Sequence, residues 1–340
     1  MAVPLVSVIT ITYNHESYIG QCIESVLAQT FDNWEMIIID DGSTDHTPSI
    51  IQSYKDQRIY YIRQDNVGIW RLGESYNKAL SIARGELIAI LEGDDYWPSD
   101  KLEKQVPSFK EHDVILCWGK NIAVNNEGKV IAIGPRKVTN SLYTVYNNEP
   151  PGKILTHLLV KGNFIAACTL VIRKEALMHI GGFKQPKNCP SVDYSTILSL
   201  ALQGRFCFIN DIVGYWRWHM NQASKTYGLE MARAFSQYIK EFYHSLPVNI
   251  KSTLKLDECR VLSFAQTTLA TGYFYQGRLA LIQDKRREAI LNFKKAFALG
   301  GWSRKLKAVV GILCALTHTD IWREYTDCFK GLKIIFRSPE

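Results

Sequence analysis

Two acidic runs concentrate the chemistry of this sequence: Asp40-Asp41-Gly42-Ser43-Thr44-Asp45 and Glu92-Gly93-Asp94-Asp95. Each follows an apolar segment, Trp34 to Ile39 and Leu87 to Leu91, so each stands where a buried strand reaches solvent. Carboxylates repel bare phosphates. Acidic strand ends that face a nucleotide therefore act either by sharing a divalent cation with the phosphates or by accepting hydrogen bonds from base and ribose hydroxyls. A spacing of two puts Glu92 and Asp94 on one side of an extended chain, within reach of a single hard cation. The same residues also suit ordinary structure: a solvated turn or N-cap ahead of Trp97-Pro98, and a turn in which Ser43 or Asp45 caps the next helix.

The periodicity predicts the elements that must hold these runs. A strand is expected over Val6 to Tyr13, followed by an amphipathic helix with Ile19, Cys22, Ile23, Val26 and Leu27 on one face. The strand at Trp34 to Ile39 completes a βαβ unit. A short helix after Pro48, a strand at Arg58 to Arg63, a helix near Gly73 to Ala83 and a strand at Leu87 to Leu91 continue the alternation. This rhythm predicts a doubly wound sheet with ligands beyond the carboxyl ends of its strands.

A helix over Ser99 to Glu111, a strand around Val114 to Trp118 and a polar, turn-rich stretch to Pro150-Pro151-Gly152 come next. A second mixed group then completes the site: a strand at Phe164 to Ile172, helices at Lys174 to His179 and Tyr194 to Leu202, and a strand at Val213 to His219. By residue type alone Asp193 reads as the N-cap of the helix that starts at Tyr194. Beyond Tyr227 the pattern is helical. Leu269 to Gly277 and Arg287 to Leu299 resemble one copy of a tetratricopeptide helix pair, where about three copies make a stable array.

A chain of 340 residues accommodates one large α/β unit and an appendage. Its 46% hydrophobic and 21% charged residues are ordinary for a globular protein and exclude disordered and fibrous classes. The eight cysteines are scattered without a C-x-x-C pair, which reads as reduced thiols of a cytosolic protein rather than zinc ligands or disulfides. No secretory pattern precedes the first strand, and the apolar run Ala308 to Leu316 is far short of the ~20 residues that cross a bilayer. Residues 230–340 hold 18 Lys+Arg against 10 Asp+Glu, and the rest 22 against 23, so the positive excess lies in the tail. A basic tail suits an anionic surface, membrane or nucleic acid, or a solvated helical face.

The stretch SVITITYNHESYIGQCIESVLAQTFDNWEMIIIDDGSTDHT, followed by ARGELIAILEGDDYW, resembles the inverting family 2 glycosyltransferases over roughly residues 5–220. The resemblance implies a GT-A-type nucleotide-diphospho-sugar transferase fold, a Rossmann-like mixed sheet flanked by helices, over residues 1–225, with a helical extension over 226–340. It implies a nucleoside-diphosphate sugar donor, bound Mn²⁺ or Mg²⁺, and inversion at the anomeric carbon. Carried over residue by residue, Thr12, Tyr13 and Asp41 contact the nucleotide, and Glu92-Gly93-Asp94 matches a D-x-D motif in which Asp94 bridges the metal. Asp193 takes the place of the catalytic base, with Val192 where the family has Glu. His219 matches a Y-x-x-H strand that approaches the diphosphate or completes the metal shell. Ser75-Tyr76-Asn77 lacks an arginine common in relatives, and Arg71, one turn earlier, is the expected substitute.

The implied acceptor is a glycan or lipid-linked glycan. The expected place is the cytoplasm, peripheral to a membrane through the basic tail near Trp302, Leu306, Val309, Val310 and Leu313, with no nucleic-acid partner. The alternative is a non-catalytic nucleotide-sugar-binding module, which the substitutions at Glu92 and Val192 would suit. An NAD-dependent oxidoreductase is excluded because Tyr13-Asn14-His15-Glu16-Ser17 lacks the glycines of a dinucleotide turn. A nucleotidyltransferase would place a Gly-rich loop and a basic residue after the first strand, and neither is present.

Overall fold

The structure, a computed structural model, describes residues 3–135 and 139–317. Strands β1 (Val6–Thr12), β2 (Trp34–Asp40), β3 (Ile59–Arg63) and β4 (Leu87–Ile90) are parallel, connected by helices α1 (Ile19–Leu27), α2 (Thr47–Ser53) and α3 (Leu72–Ile82). Every residue of β1, β2 and β4 is buried, as continuous apolar strands covered on both faces require. Alternate residues serve opposite layers. Ile9, Ile37 and Ile88 pack with Tyr76, Ala79 and Leu80 of α3, whereas Val8, Met36 and Ala89 pack with Ile19, Cys22 and Ile23 of α1.

The strand order is β3-β2-β1-β4-β7-β5-β6, so the winding direction reverses between β1 and β4. At such a reversal the helices diverge and leave a crevice beyond the strand ends, where ligands bind in parallel sheets. β7 (Val171–Arg173) runs antiparallel to β4 and to β5 (Val114–Val124), β6 (Val130–Gly134) is antiparallel to β5, and β8 (Arg205–Arg217) is parallel to β5. Around them lie α4 (Lys101–Gln105), α5 (Asn140–Tyr146), α6 (Lys153–Lys161), α7 (Lys174–His179) and α8 (Asp193–Leu200).

Several elements depart from the periodicity. The helix expected over Ser99 to Glu111 forms only as α4 and then tightens into a 3₁₀ turn, Val106–Lys110, because Pro107 has no N–H to donate. The strand expected over Phe164 to Ile172 is reduced to β7 after a 3₁₀ turn, Ala167–Thr169; an apolar run records burial without fixing conformation. β5 and β8 are longer than expected because they pair along their whole length, with register shifts that absorb the polar Asn210-Asp211 of β8. The turn-rich stretch contains β6 and α5. All seven described cysteines are free, and five are buried.

The C-terminal region is helical: α9 (Ala223–Thr226), α10 (Gly228–Ser245), α11 (Val248–Thr253), α12 (Glu258–Ile282), α13 (Arg286–Leu299) and α14 (Trp302–Thr317). Ile239 and Tyr243 of α10 and Val261 and Ala265 of α12 share the core of α6 and α8. The remainder has a core of its own, with Phe274, Ala289, Phe293, Ala296 and Ala308. Leu269 to Gly277 lies within α12, and Arg287 to Leu299 falls in α13. Phe293 is fully buried against glycines of two helices: a Cβ on Gly277 would stand 2.9 Å from its ring, and one on Gly311 2.6 Å. Among the described residues no helix is long and apolar enough to cross a membrane.

Because Phe293 joins α12, α13 and α14, Phe293→Ala is expected to destabilise this unit by about 3–5 kcal/mol. Urea unfolding monitored by hydrogen exchange should show early opening of α12–α14 with strands β1–β4 still protected. Unchanged protection in α13 would refute the role given to this ring.

Candidate active site

The ladder between β1 and β4 continues past the strand: Leu91 N–H donates to the Ile9 carbonyl and Gly93 N–H to the Ile11 carbonyl, both at 3.1 Å. This carries the acidic turn to the end of β1, where Thr12 is buried and Tyr13 is exposed. Position 93 must be glycine at that approach. A Cβ there would lie 2.6 Å from Thr12 Oγ1 and 2.8 Å from His15 Nδ1, two atoms that are themselves 3.1 Å apart.

Each carboxylate of the turn has a different environment. The buried Tyr76 hydroxyl of α3 donates to Glu92 Oε1 at 2.8 Å, while Glu92 Oε2 is buried without a partner. Burial pushes the Glu92 carboxyl up to about 7, and the charges of Asp94 and Asp193 add to the rise against the Tyr76 hydrogen bond. Asp94 Oδ2 lies 2.9 Å from His219 Nε2. Burial opposes ionisation of Asp94, yet His15 and His219 outweigh it and hold the carboxyl below its usual range. Asp95 is buried more deeply, its Oδ1 accepting the Arg217 N–H at 2.8 Å, and burial raises its carboxyl well above the usual range.

β8 clamps the turn from the other side. Tyr96 and Tyr215 exchange backbone hydrogen bonds at 3.2 and 2.8 Å, and their rings stack at 4.5 Å with planes 4° apart. Arg217 Nε donates to the Asp94 carbonyl at 2.9 Å, and the guanidinium lies over the Tyr18 and Tyr96 rings. His219, two residues beyond, is buried and packs on Tyr18 with ring centroids 4.9 Å apart. Behind the turn Trp97 Nε1 donates to the Cys168 carbonyl at 2.7 Å. Lys101 Nζ, fully buried 4.7 Å over the Trp97 ring, donates to the Thr169 carbonyl and to Gln105. Burial lowers the Lys101 ammonium to about 7.

The first acidic run is divided between fold and cleft. Asp40 is buried, accepting from Ser43 N–H at 2.9 Å and the Tyr61 hydroxyl at 2.8 Å. Asp41 draws the following loop across the end of β2: Oδ1 accepts from Gln64 Nε2 at 2.8 Å and Val67 N–H at 2.9 Å, and Oδ2 from Gly68 N–H at 3.0 Å. Asp45 accepts from the Thr47 and Glu16 N–H groups and so ties the turn before α2 to the turn after β1; the N-cap position of α2 falls on His46, not on Asp45 as its residue type suggested.

Asp193 is the first residue of α8. Its Oδ2 accepts from Asn163 Nδ2 at 2.8 Å and its Oδ1 from the Ser191 hydroxyl, and its charge acts on both Glu92 and Tyr76. Val192 is buried in the core beside Tyr194. Thr12, Gly93, Glu92, Asp94 and His219 thus gather at the β1–β4 reversal, with Asp193 in electrostatic reach. Arg71 is not brought into this group. Its guanidinium is held by Glu74 through two 2.6 Å bonds, more than half exposed, at the rim of a cleft of about 400 Å³ shared with Trp70 and Lys187. Sequence reasoning missed Tyr76, Asn163 and Arg217. Tyr76 was visible only as the place where an arginine is absent, and Arg217 was printed inside the run that led to His219.

Two outcomes follow from this packing. Gly93→Ala should cost about 1–3 kcal/mol by wedging the turn from Thr12 and His15, read as a lowered Tm; an unchanged Tm would mean the approach is not constrained. For Lys101 the folded pKa lies below the unfolded one, so its burial penalty is full below pH 7 and fades as pH rises toward 10.5. The stability of Lys101→Met relative to the parent should therefore decline steadily from pH 7 to pH 10 in denaturant titrations. A pH-independent difference would show that Lys101 keeps its proton when buried as firmly as in the unfolded chain.

The family model described as glycosyl transferase family 2 matches residues 7–181. An uncharacterized glycosyltransferase of Nostoc sp. is 30% identical over 285 residues, covering 77% of this chain and 81% of that protein. TuaG of Bacillus subtilis is 47% identical over 118 residues, which are 34% of this chain and 46% of TuaG. The Escherichia coli UDP-Glc:alpha-D-GlcNAc-diphosphoundecaprenol beta-1,3-glucosyltransferase WfgD is 36% identical over 138 residues, 40% of this chain and 53% of WfgD. The match thus spans about half the length of these last two relatives. Two solved structures share the fold at 17% identity. Staphylococcus aureus TarS in complex with UDP-GlcNAc has a TM-score of 0.55 over 93% of each chain, and the Pyrobaculum calidifontis mannosyltransferase PcManGT with GDP-Man and Mn²⁺ has 0.57 over 96% of this chain and 84% of that one. The sheet is accordingly of the GT-A type, and the chain belongs to glycosyl transferase family 2.

Proposed function

We propose that the protein transfers a sugar, with inversion, from a nucleoside diphosphate to an acceptor hydroxyl in the synthesis of a cell-surface polysaccharide. The observation that carries this reading is the gathering of Glu92 and the Asp94–His219 pair at the reversal of the sheet, with Asp193 near enough for its charge to act on Glu92. Thr12, Tyr13 and Asp41 line the strand ends where a base and ribose would rest. In an inverting transfer Asp193 takes the proton of the acceptor hydroxyl as its oxygen bonds to the anomeric carbon, and the bond to the diphosphate breaks with its electron pair on the opposite face. Ser191 and Asn163 each occupy one oxygen of Asp193 and so fix the direction of its remaining lone pairs.

The residues at the turn fit a divalent cation in a limited way. Among the described residues no group of three or more His, Cys, Asp or Glu is arranged to hold a metal. Asp94 and His219 offer one carboxylate and one imidazole, and Glu92 Oε2 is a buried oxygen without a partner. Such a two-ligand set suits Mn²⁺ or Mg²⁺ completed by substrate phosphate oxygens. When bound, the ion would neutralise charge that builds on the departing diphosphate. The printed name of WfgD, a glucosyltransferase of GlcNAc-diphosphoundecaprenol, supports a lipid-linked glycan as the acceptor here and a working position at a membrane surface.

Asp193→Asn is expected to reduce sugar transfer 10²–10⁴-fold while nucleoside diphosphate and Mn²⁺ still raise the melting temperature. Ser195→Ala, which removes a hydroxyl bonded to the Lys184 carbonyl, should stay within a few fold of the parent. Undiminished transfer by Asp193→Asn would sink the assignment of the base. Retention of configuration at the anomeric carbon, read by NMR of the first product, would sink the inverting mechanism.

A further inference from the structure

Helix α14 is built inside out for a helix that faces water. Its inward residues are small, Ala308, Gly311, Cys314 and Ala315, and Gly311 lets it close on Phe293. Ile312 packs partly against the core of Phe293, but five large apolar residues point outward: Trp302 is 90% exposed, Leu306 68%, Val309 39%, Leu313 53% and Leu316 60%. Their spacing of four, three, four and three residues draws one straight stripe along the helix. Phe297 of α13 extends the patch, partly exposed, with Lys305 Nζ 5.4 Å over its ring.

The charge around the stripe is predominantly positive. Lys305 and Lys307 are the exposed-side charges of α14, which has no acidic residue, while Arg304 turns inward over the Phe274 ring and donates to Thr271; α13 carries Arg286, Arg287, Lys294 and Lys295 against Glu288 alone. A second copy seated on this face would bring like charges together across an apolar contact. An anionic bilayer supplies the opposite charge and a medium for the exposed Leu, Val and Trp side chains at once, and a tryptophan at the end of such a stripe suits the headgroup level. We propose that the outer face of α14, with Phe297 and Lys305, is a docking surface for anionic membrane. The surface is argued from its own residues; only its use, bringing the cleft to a lipid-linked acceptor, rests on the function proposed above.

The test is co-sedimentation of the full chain with vesicles of phosphatidylcholine alone and of phosphatidylcholine with one-third phosphatidylglycerol. Binding is expected to the anionic vesicles. Leu306→Glu combined with Leu313→Glu should lower the partition coefficient at least tenfold, and Lys305→Gln and Lys307→Gln about fivefold each. Donor hydrolysis in free solution should be unchanged in all of them, so loss of vesicle binding is separable from loss of transferase chemistry. Should the double glutamate variant fold poorly, brominated lipids provide an independent reading. They should quench tryptophan emission of the parent more than that of Trp302→Phe. Three results overturn the proposal: equal sedimentation of parent and stripe variants, loss of binding on truncation after Thr317 with the stripe intact, or a dimer dissolved by the stripe variants whose vesicle binding is unaffected.

Discussion

The site depends on a clamp between the acidic turn after β4 and the end of β8. Three carboxylates within four residues repel one another in a setting with little water, and uncompensated charges there would carry a heavy desolvation cost. Arg217 answers this by several contacts at once, a backbone bond to Asp95, a guanidinium bond to the Asp94 carbonyl and cation–π contacts with Tyr18 and Tyr96. The stacked Tyr96–Tyr215 pair fixes the register between turn and strand. Because the register is fixed, His219 arrives beside Asp94 and nowhere else. The three carboxylates are thereby differentiated: one bonded to imidazole, one kept on a backbone amide, one facing Tyr76 with an oxygen to spare.

A second support comes from the opposite layer. α3 sends the Tyr76 hydroxyl to Glu92 and Asn77 to the backbone of Phe183, binding the turn to the segment that leads into α8. Gln185 adds bonds to the Gly73 amide and the Ile69 carbonyl. The start of α8, and with it Asp193, is therefore positioned by α3 rather than by its own strand. Asp41 serves on the same side, with three donors holding the loop 64–68 against the end of β2. A carboxylate so engaged is already ordered before any ligand arrives, which lowers the entropy that binding must overcome.

The helical region divides by packing rather than by sequence position. α10 and the first half of α12 complete the layer over α6 and α8, whereas α13 and α14 close on Phe293 and on the second half of α12. The distal helices pack alanine and glycine around two large rings, Phe274 and Phe293, and α14 contributes mainly small residues to that core. That economy of inward volume is what leaves the big side chains of α14 on the outside.

The sequence by itself determined the parallel half of the sheet, since continuous apolar strands, an amphipathic α1 and polar strand ends are local signals that no other packing satisfies. It also marked the turn Glu92 to Asp95, Asp193 and His219, through spacing and through resemblance. The extents of β5, β7 and β8 were decided only by tertiary structure, because pairing with a distant strand, not local alternation, fixes where a strand stops. The same holds for the role of each carboxylate. Asp40, Asp41 and Asp45 are one run in sequence, yet one is core, one holds a loop and one bridges two turns, according to the donors that folding brings to each. Arg217 and Tyr76 could not be assigned from their neighbours, because what they compensate lies 122 and 16 residues away in the chain. Charge compensation acts through space, and only the folded chain sets those distances.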